Sequence, residues 1–242
     1  RIDVLAGGKV QGAGRAIDNA IGASGSFGSP SDFMTINNAG SIVGDVYQGV
    51  YADVLNISAG GTVDGTIVGQ TGKGGSVNFA LGAGNSYTMA AGGVSNVDTV
   101  NVQSGLLVTN PGSSIVGAQI LSIVAGATVR MTGTVSAASV VNNGIISIGT
   151  GSATVVGNVS IAPTGSLVTN VVNNANGRLI VNGNLTFNGG TIALNFVNYS
   201  TLSALTIASA TNLTTTAAVS VISNAANPYE QNPTLAIVSN IA

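Results

Sequence analysis

The segment ISAGGTV, residues 57–63, contains the unit on which the chain is built: an aliphatic strand end, a turn of small residues, and a second aliphatic strand. Close copies of it are VLAGGKV at 4–10 and IVAGATV at 123–129. Looser copies are INNAGSI at 36–42, VQSGLLV at 102–108 and IAPTGSLV at 161–168. The recurrence of one short unit along a chain indicates a repeat architecture.

The spacing of the copies predicts which kind of repeat is present. Val43 and Val63 are about 20 residues apart, and Val108 and Val129 are about 21 apart, which suits one coil of a β-solenoid. Alternating triplets such as Leu55-Asn56-Ile57 predict strands with one face inward. We therefore predict an all-β, right-handed parallel β-helix with coils of about 20 residues. An antiparallel sandwich is the alternative, because Asn-Gly is also a hairpin signal, but sandwich strands are longer.

Asparagine is expected to have two structural roles, one in the corners between strands and one within the parallel sheets. The dipeptides Asn143-Gly144, Asn176-Gly177, Asn182-Gly183 and Asn188-Gly189 consist of residues that tolerate positive φ, so they predict sharp corners. The segment VVNN at 140–143 is repeated at 171–174. Stacked Asn side chains hydrogen-bond in ladders along parallel sheets, and such a ladder is the predicted role of these residues.

Two segments depart from the repeat. Residues 1–200 are predicted to form the solenoid, with a Gly/Ser/Pro-rich excursion near 12–35 that leaves the rod as a loop. Residues 201–242 are predicted to hold the last coils and a β-hairpin, formed by 219–222 and 235–238, that caps the end of the rod. An uncapped solenoid end would be an unpaired sheet edge.

Composition excludes most catalytic and metal chemistry. The 242 residues include 35 glycines, no cysteine and no histidine, with only 6 Lys+Arg and 8 Asp+Glu. Structural zinc, haem ligation by histidine, thiol catalysis and histidine-based triads are therefore excluded. Six dispersed cations do not form the positive stripe that nucleic acid requires. We predict no cofactor, no metal, no nucleic acid partner and no catalytic site.

One arrangement of charges would suit an enzyme that acts on polysaccharides. Asp45, Asp53 and Asp64 are the acids closest to one another in sequence, and Lys73 lies about one coil period after Asp53. If they converged in a groove, they would suit a β-helical lyase or hydrolase. The alternative, which we favour, is that Asp53 and Lys73 form a solvated surface pair that contributes at most about 1 kcal/mol.

Three aromatic residues are candidates for contact with a partner. Phe33, Tyr47 and Tyr51 lie near the predicted excursion and the coil that follows it. Exposed aromatic side chains are enriched at protein interfaces, so these residues form the predicted partner-binding patch. Core packing or the filling of a corner is the alternative for each of them.

The repeats resemble a known class of bacterial protein. The segments NISAGGTVDGTI at 56–67, SIVAGATVRMTGTV at 122–135 and VNGNLTFNGGTIALNF at 181–196 are similar to the passenger domains of bacterial autotransporters, especially rickettsial surface-cell antigens. The resemblance covers most of residues 36–196. It implies a right-handed β-helix, export through a C-terminal barrel that this chain does not include, and adhesion to a host surface. Scarcity of cysteine is usual in such passengers.

The expected function is that of a non-catalytic passenger domain, acting as an adhesin or a stalk. The resemblance implies a monomer at the bacterial cell surface or outer membrane, or one secreted after cleavage. A host-cell surface or matrix protein is the expected partner. Two alternatives stay open: a carbohydrate-active β-helix, such as a polysaccharide lyase or a phage tailspike fragment, and a self-assembling surface-layer protein.

Overall fold

The computed structural model describes residues 1–19, 33–111, 115–172, 175–198 and 205–223, and every regular element in them is a β-strand. The strands are β1 (Ile2–Val4), β2 (Lys9–Asp18), β3 (Thr35–Asn38), β4 (Ser41–Tyr47), β5 (Val54–Ser58), β6 (Thr62–Asp64), β7 (Ile67–Val68), β8 (Ser76–Ala80), β9 (Ser86–Thr88), β10 (Val94–Ser95), β11 (Thr99–Val108), β12 (Ile115–Val116), β13 (Ala118–Ile123), β14 (Ala127–Arg130), β15 (Gly133–Asn142), β16 (Ile145–Ile148), β17 (Ser152–Ile161), β18 (Ser166–Val172), β19 (Ala175–Asn176), β20 (Arg178–Phe187), β21 (Thr191–Asn198), β22 (Ala208–Thr215) and β23 (Ala218–Ser223). Within these ranges no helix is long and apolar enough to cross a membrane.

Strand pairing confirms the predicted parallel β-helix. Each long strand pairs in parallel with the strand one coil later, as β15 pairs with β17 and β17 with β20. Among the described pairings, the one antiparallel contact joins β18 to the two-residue strand β19. The sandwich alternative is therefore wrong, because a sandwich is built from antiparallel neighbours.

One uninterrupted column of aliphatic side chains runs through the coils. Its members are consecutive parallel partners: Ile2, Ile36, Leu55, Val77, Val100, Leu121, Val140, Val159, Leu185 and Leu213. The eight members from Ile36 to Leu185 are buried. The alternation predicted for Leu55-Asn56-Ile57 is confirmed, since Leu55 and Ile57 are buried and Asn56 lies between them on the outer side.

Further columns line the other sides of the core. One consists of the successive partners Tyr87, Leu107, Val129, Ile146, Leu167 and Ile192. Another consists of Val46, Ile67, Val94 and Ile115 in the earlier coils and of Val135, Val155, Val181 and Ala210 in the later ones. All of these side chains are buried, so small aliphatic residues fill a narrow interior shared by successive coils.

The predicted coil of about 20 residues is confirmed, and the paired residues lie one position away from those whose spacing indicated it. The partner of Val63 is Ile42 rather than Val43, and the partner of Val129 is Leu107 rather than Val108. Side chains alternate between the two faces of a strand, so a shift of one residue exchanges inner for outer positions. Both true partners are fully buried. The coils at these points are therefore one residue longer than the sequence comparison indicated.

Inward-facing asparagines hold two of the corners. Asn38 is buried, donates from Nδ2 to the carbonyl of Thr62 at 2.9 Å, and accepts at Oδ1 from the amide two residues later. Asn142 repeats both bonds, donating to the carbonyl of Ser166 at 3.0 Å. The ladder predicted for 140–143 is therefore wrong at Asn142, which caps a turn instead. Residues 173 and 174, the repeat of that pair, lie outside the described residues.

The glycines of these corners are required for close packing rather than for positive φ. Gly144 does not have positive φ, and a Cβ there would lie 2.4 Å from the carbonyl oxygens of both Val124 and Ala127. Gly40 meets two carbonyl oxygens of its preceding coil at the same distance. Of the four Asn-Gly dipeptides, only Gly189 has positive φ, at 82°. Three of the four dipeptides lie where strands end, whereas Asn182-Gly183 lies inside β20, and the positive φ predicted for the corners is found at Gly189 alone of the four glycines.

Replacing Gly144 with alanine is expected to lower the free energy of unfolding by about 2 kcal/mol, because the added methyl group overpacks the contact between two coils. Urea unfolding followed by circular dichroism measures the change. Gly149→Ala is the matched control, since a Cβ at Gly149 meets nothing within 4 Å. Equal destabilisation by the two substitutions would contradict the packing explanation.

A hydrogen-bonded ladder of outward asparagines crosses the first coils. Asn56 donates to Asn37, Asn78 to Asn56, and Asn101 to Asn78, each at 2.8 Å. The ladder ends at Asp3, which accepts from Asn37 at 2.7 Å. That bond is the main reason why the pKa of the Asp3 carboxyl is lowered. The predicted kind of ladder therefore exists, but at positions that the sequence comparison did not select.

Asn56→Ala is expected to destabilise the chain by about 1 to 2 kcal/mol, because it removes two ladder bonds at once. Asn101→Ala removes one bond, from the end of the ladder, and should cost about half as much. Denaturant unfolding of both variants tests the difference. If the two losses were equal, the ladder would not be stabilising the stack through its side-chain bonds.

The two segments predicted to depart from the repeat are partly described. Residues 12–18 belong to β2, which pairs with β4 with shifts of register, so the predicted loop is wrong for them. Residues 20–32 lie outside the described residues. At the other end, β22 and β23 pair in parallel with β20 and β21 and continue the coils. Residues 224–242, which include the second strand of the predicted hairpin, also lie outside the described residues.

Candidate functional site

A buried carboxylate organises the corner between β4 and β5. The Asp53 side chain is 1% exposed and accepts three hydrogen bonds. The donors are Asn19 Nδ2 at 2.7 Å, the Met34 amide at 2.6 Å and the Gly49 amide at 2.6 Å. Hydrogen bonds to an ionised carboxylate are stronger than neutral ones. These three hydrogen bonds therefore replace the hydrogen bonds to water that the carboxylate loses on burial.

These bonds bring together two parts of the chain that flank residues 20–32. Asn19 precedes that segment and Met34 follows it, and both bond the same carboxylate. Asn19 is also held through its backbone amide, which donates to the carbonyl of Tyr47 at 2.9 Å. Asp53 thus fixes the base from which the predicted excursion departs.

The predicted surface pair between Asp53 and Lys73 is wrong. Asp53 is buried and bonded to its own corner, whereas Lys73 is exposed. Within the ranges that the structure describes, the ion pairs are Arg1 with Asp3 and Arg15 with Asp18. The position of Asp53 follows from its three donors and not from a neighbouring cation.

The three acids considered as a catalytic cluster occupy separate environments. Asp45 accepts a hydrogen bond from the Thr66 amide at 2.8 Å, and Asp64 is exposed on β6. Asp53 is enclosed in its own corner. In the described part of the chain no group of three acids is placed to hold a metal ion. The convergence that an acid-based polysaccharide site would need is therefore not formed by these residues.

Asp98 repeats the role of Asp53 two coils later. Its carboxylate accepts from the amides of Gly72 and Gly74, and its side chain is buried. Each aspartate directly precedes a strand that contributes to the aliphatic column. The sequence analysis did not single out Asp98, although its distance from Asp53, about two coil periods, was a usable signal.

The three predicted partner-binding aromatics lie around the Asp53 corner. Tyr51 precedes Asp53 by two residues, and its carbonyl accepts from the Asp53 amide. Phe33 adjoins Met34, and Tyr47 bonds Asn19. The structure therefore places all three residues near one corner, which we name the Asp53 corner: Asn19, Phe33, Met34, Tyr47, Gly49, Tyr51 and Asp53.

The aromatic side chains differ in how open they are. Phe33 is 69% exposed, whereas Tyr47 and Tyr51 are half-buried. The guanidinium of Arg15 lies 4.0 Å from the centre of the Tyr47 ring, a cation–π contact. Its hydrogen bond to Asp18 raises the pKa of the Arg15 guanidinium. Phe33 is thus the member of the patch most open to a partner, while one face of the Tyr47 ring is already covered.

Tyr87 is an aromatic residue that sequence reasoning did not single out. Its ring packs at 5.1 Å from the ring of Phe79, and its hydroxyl faces the carbonyl of Val63 at 3.4 Å. Burial raises the pKa of Tyr87 to about 12. The folded chain therefore retains a proton at Tyr87 that the unfolded chain releases above pH 10.

This difference should make the chain less stable in alkaline solution. The contribution of Tyr87 is fully present below pH 10 and is lost as the pH rises toward 12, by about 3 kcal/mol in all. Unfolding free energies at pH 9 and pH 11.5 should show this loss in the native chain. In Tyr87→Phe this part of the pH dependence should vanish, and its persistence would assign it to another group.

Comparisons with protein-family models, with curated proteins and with solved structures found no match to this chain. The functional assignment therefore depends on the geometry of the rod and of the Asp53 corner.

Proposed function

We propose that the chain is a non-catalytic passenger domain of a bacterial autotransporter, displayed at the cell surface as an adhesin or a stalk. The observation that carries the proposal is the aliphatic column, whose ten members each pair only with the coil before and the coil after. Ten rungs at about 4.8 Å give a rod on the order of 45 Å long. A rod of this length suits a stalk that holds a binding surface at a distance from the bacterial cell.

Neighbour-only pairing also suits a chain that is exported unfolded. A repeat protein can nucleate at one point and propagate from coil to coil. Coils that fold outside the membrane would then oppose backward sliding of the rest of the chain. The absence of cysteine and the 6% content of charged residues favour passage through a narrow pore.

The adhesive surface of this proposal is the Asp53 corner. Phe33 offers the exposed aromatic side chain, with Tyr51 beside the same carboxylate anchor. Aromatic side chains dominate the binding energy of many protein interfaces. The expected partner is a host-cell surface or matrix protein, and the expected solution state is a monomer.

Surface labelling tests the location. Antibodies raised against the purified domain should label intact cells of the producing bacterium. Labelling that requires lysis of the cells would overturn the proposal. Incubation with acidic polysaccharides should release no shortened products, and release of such products would favour the carbohydrate-active alternative.

Binding to host cells distinguishes the adhesin from the stalk. Phe33→Ala should reduce binding of the purified domain, while Leu5→Ala, at another exposed apolar residue, should not. A second variant replaces residues 20–32 with two glycines, since Asn19 and Met34 already bond one carboxylate. Binding that depends on Phe33 or on this segment supports an adhesin. Binding by none of the forms leaves the stalk role.

A further inference from the structure

A small cleft opens on the outer side of the last coils, on β20 and β22. It has a volume of about 200 Å³, and its lining includes Arg178, Ile180, Asn182, Ser209 and Thr211. Ile180 and Ser209 are parallel partners, and the buried neighbours of Ile180 at 179 and 181 point into the core. Arg178, Ile180 and Asn182 therefore belong to the outward face of β20, and the core residues Val181 and Ala210 complete the lining of the cleft.

Two polar atoms in this lining have no hydrogen-bond partner among the described residues. Ser209 is 4% exposed, and its Oγ makes no hydrogen bond. The Nε atom of Arg178 is also buried without a partner. Nearly all buried polar groups in native proteins are hydrogen-bonded, so an unpaired donor can be satisfied by a group from outside the chain. Here two such atoms border the same cleft.

The cleft also carries an uncompensated positive charge. The ion pairs of the described residues use Arg1 and Arg15, and Arg178 takes part in neither. The described residues that line the cleft include no carboxylate. Removing a charged group from water without a counter-charge is costly, so an anion in the cleft would be stabilised.

The geometry of the donors favours one kind of anion. The planar guanidinium presents N–H groups in a fork that matches a carboxylate, and a single cation matches a single negative charge. Ser209 adds a hydroxyl and Asn182 an amide. Next to Asn182, its parallel partner Val156 is 42% exposed, so an apolar surface adjoins the polar one. Ile180 extends that apolar surface.

We infer that this cleft binds a carboxylate carried by a ligand about the size of a sugar acid. Arg178 pairs with the carboxylate, Ser209 and Asn182 bond its polar groups, and the carbon face of the ligand packs on Ile180. The cleft is smaller than the pockets that hold drug-sized ligands, at about 300 Å³ or more, which limits the occupant to a single ring. This site would exist whether the rod acts as an adhesin or as a stalk.

Ligand-observed NMR with the full chain and D-glucuronate as the probe tests this site. Saturable binding is expected for glucuronate, weaker binding for acetate, and none for D-glucose, which has the same ring without the charge. Arg178→Gln should weaken glucuronate binding about tenfold or more, since it removes a charge-assisted interaction. Arg130→Gln, at an exposed arginine elsewhere on the rod, should leave it unchanged.

Two further variants keep the test informative if Arg178→Gln fails to fold. Arg178→Lys retains the charge but loses the fork, and Ser209→Ala deletes the unpaired hydroxyl; each should weaken binding about three- to tenfold. Absence of saturable binding by the native chain would overturn the inference. So would equal binding of glucose, equal or tighter binding of inorganic phosphate, or an equal loss in Arg130→Gln.

Discussion

Replacing Phe79 with alanine is expected to lower the free energy of unfolding by about 3 to 5 kcal/mol. The Phe79 ring is 0% exposed and is the direct neighbour of Ile57 in the coil before and of Val102 in the coil after. It also packs at 52° against the ring of Tyr87. Its removal leaves a cavity that three coils cannot close, because each is held in register by its neighbours.

Equilibrium unfolding in guanidinium chloride measures this loss. Phe33→Ala is the matched control, since it deletes the same side chain from an exposed position, and it should change stability by no more than about 0.5 kcal/mol. Similar losses at the two positions would mean that Phe79 does not pack in the core as the structure places it.

Replacing Asp53 with alanine is expected to cost about 4 kcal/mol, because three donors, one buried and two partly buried, lose a charged acceptor at once. The donors belong to three separate parts of the chain, at Asn19, Met34 and Gly49. Asp53→Asn keeps the size of the side chain but presents an NH2 group to one of them. It should therefore also be destabilising, though less so than alanine.

Hydrogen exchange locates the effect of these variants. The amides of Met34 and Gly49 should exchange faster in Asp53→Asn, while amides in β17 and β20 should be unaffected. Asp64→Asn removes a charge from an exposed position and serves as the control. Unchanged exchange at both amides would show that the carboxylate does not hold the corner.

The Asp53 corner links this stability prediction to the proposed adhesion. Phe33 adjoins Met34, whose amide is bonded to the carboxylate. If Phe33 contacts a partner, Asp53→Asn should weaken binding without altering any contact residue. If Asp53→Asn bound the partner normally although the amides of the Asp53 corner exchanged faster, the stabilising role of Asp53 would be independent of the proposed adhesion.

Several features of the fold could be predicted because they follow from local chemistry. In short alternating triplets such as Val100-Asn101-Val102, the sequence shows directly which positions face inward, and both of these valines are fully buried. Three of the four predicted Asn-Gly corners lie at strand ends, whereas Asn182-Gly183 lies inside β20. The reason given for them was wrong at Gly144, because a dipeptide reveals which φ angles are tolerated but not how closely the preceding coil approaches.

The candidate site was less predictable. Phe33, Tyr47 and Tyr51 were grouped because they are near one another in sequence, and the structure keeps them near one corner. The coil period paired Asp53 with Lys73. A period does not show whether a side chain points to solvent or packs against the rest of the chain. Its actual donors are up to 34 residues away in sequence, and no spacing rule would have selected them.

The amino-acid sequence alone determined the class of this protein: an all-β parallel solenoid of small aliphatic residues, with no histidine or cysteine for metal and thiol chemistry. Periodicity and composition carry that information, because every coil repeats the same local choice of inward and outward residues. The tertiary structure decided the register, the asparagine ladder, the role of Asp53 and the cleft at Arg178. Each of these depends on which side chains of different coils meet, and a shift of one residue is enough to exchange buried and exposed positions.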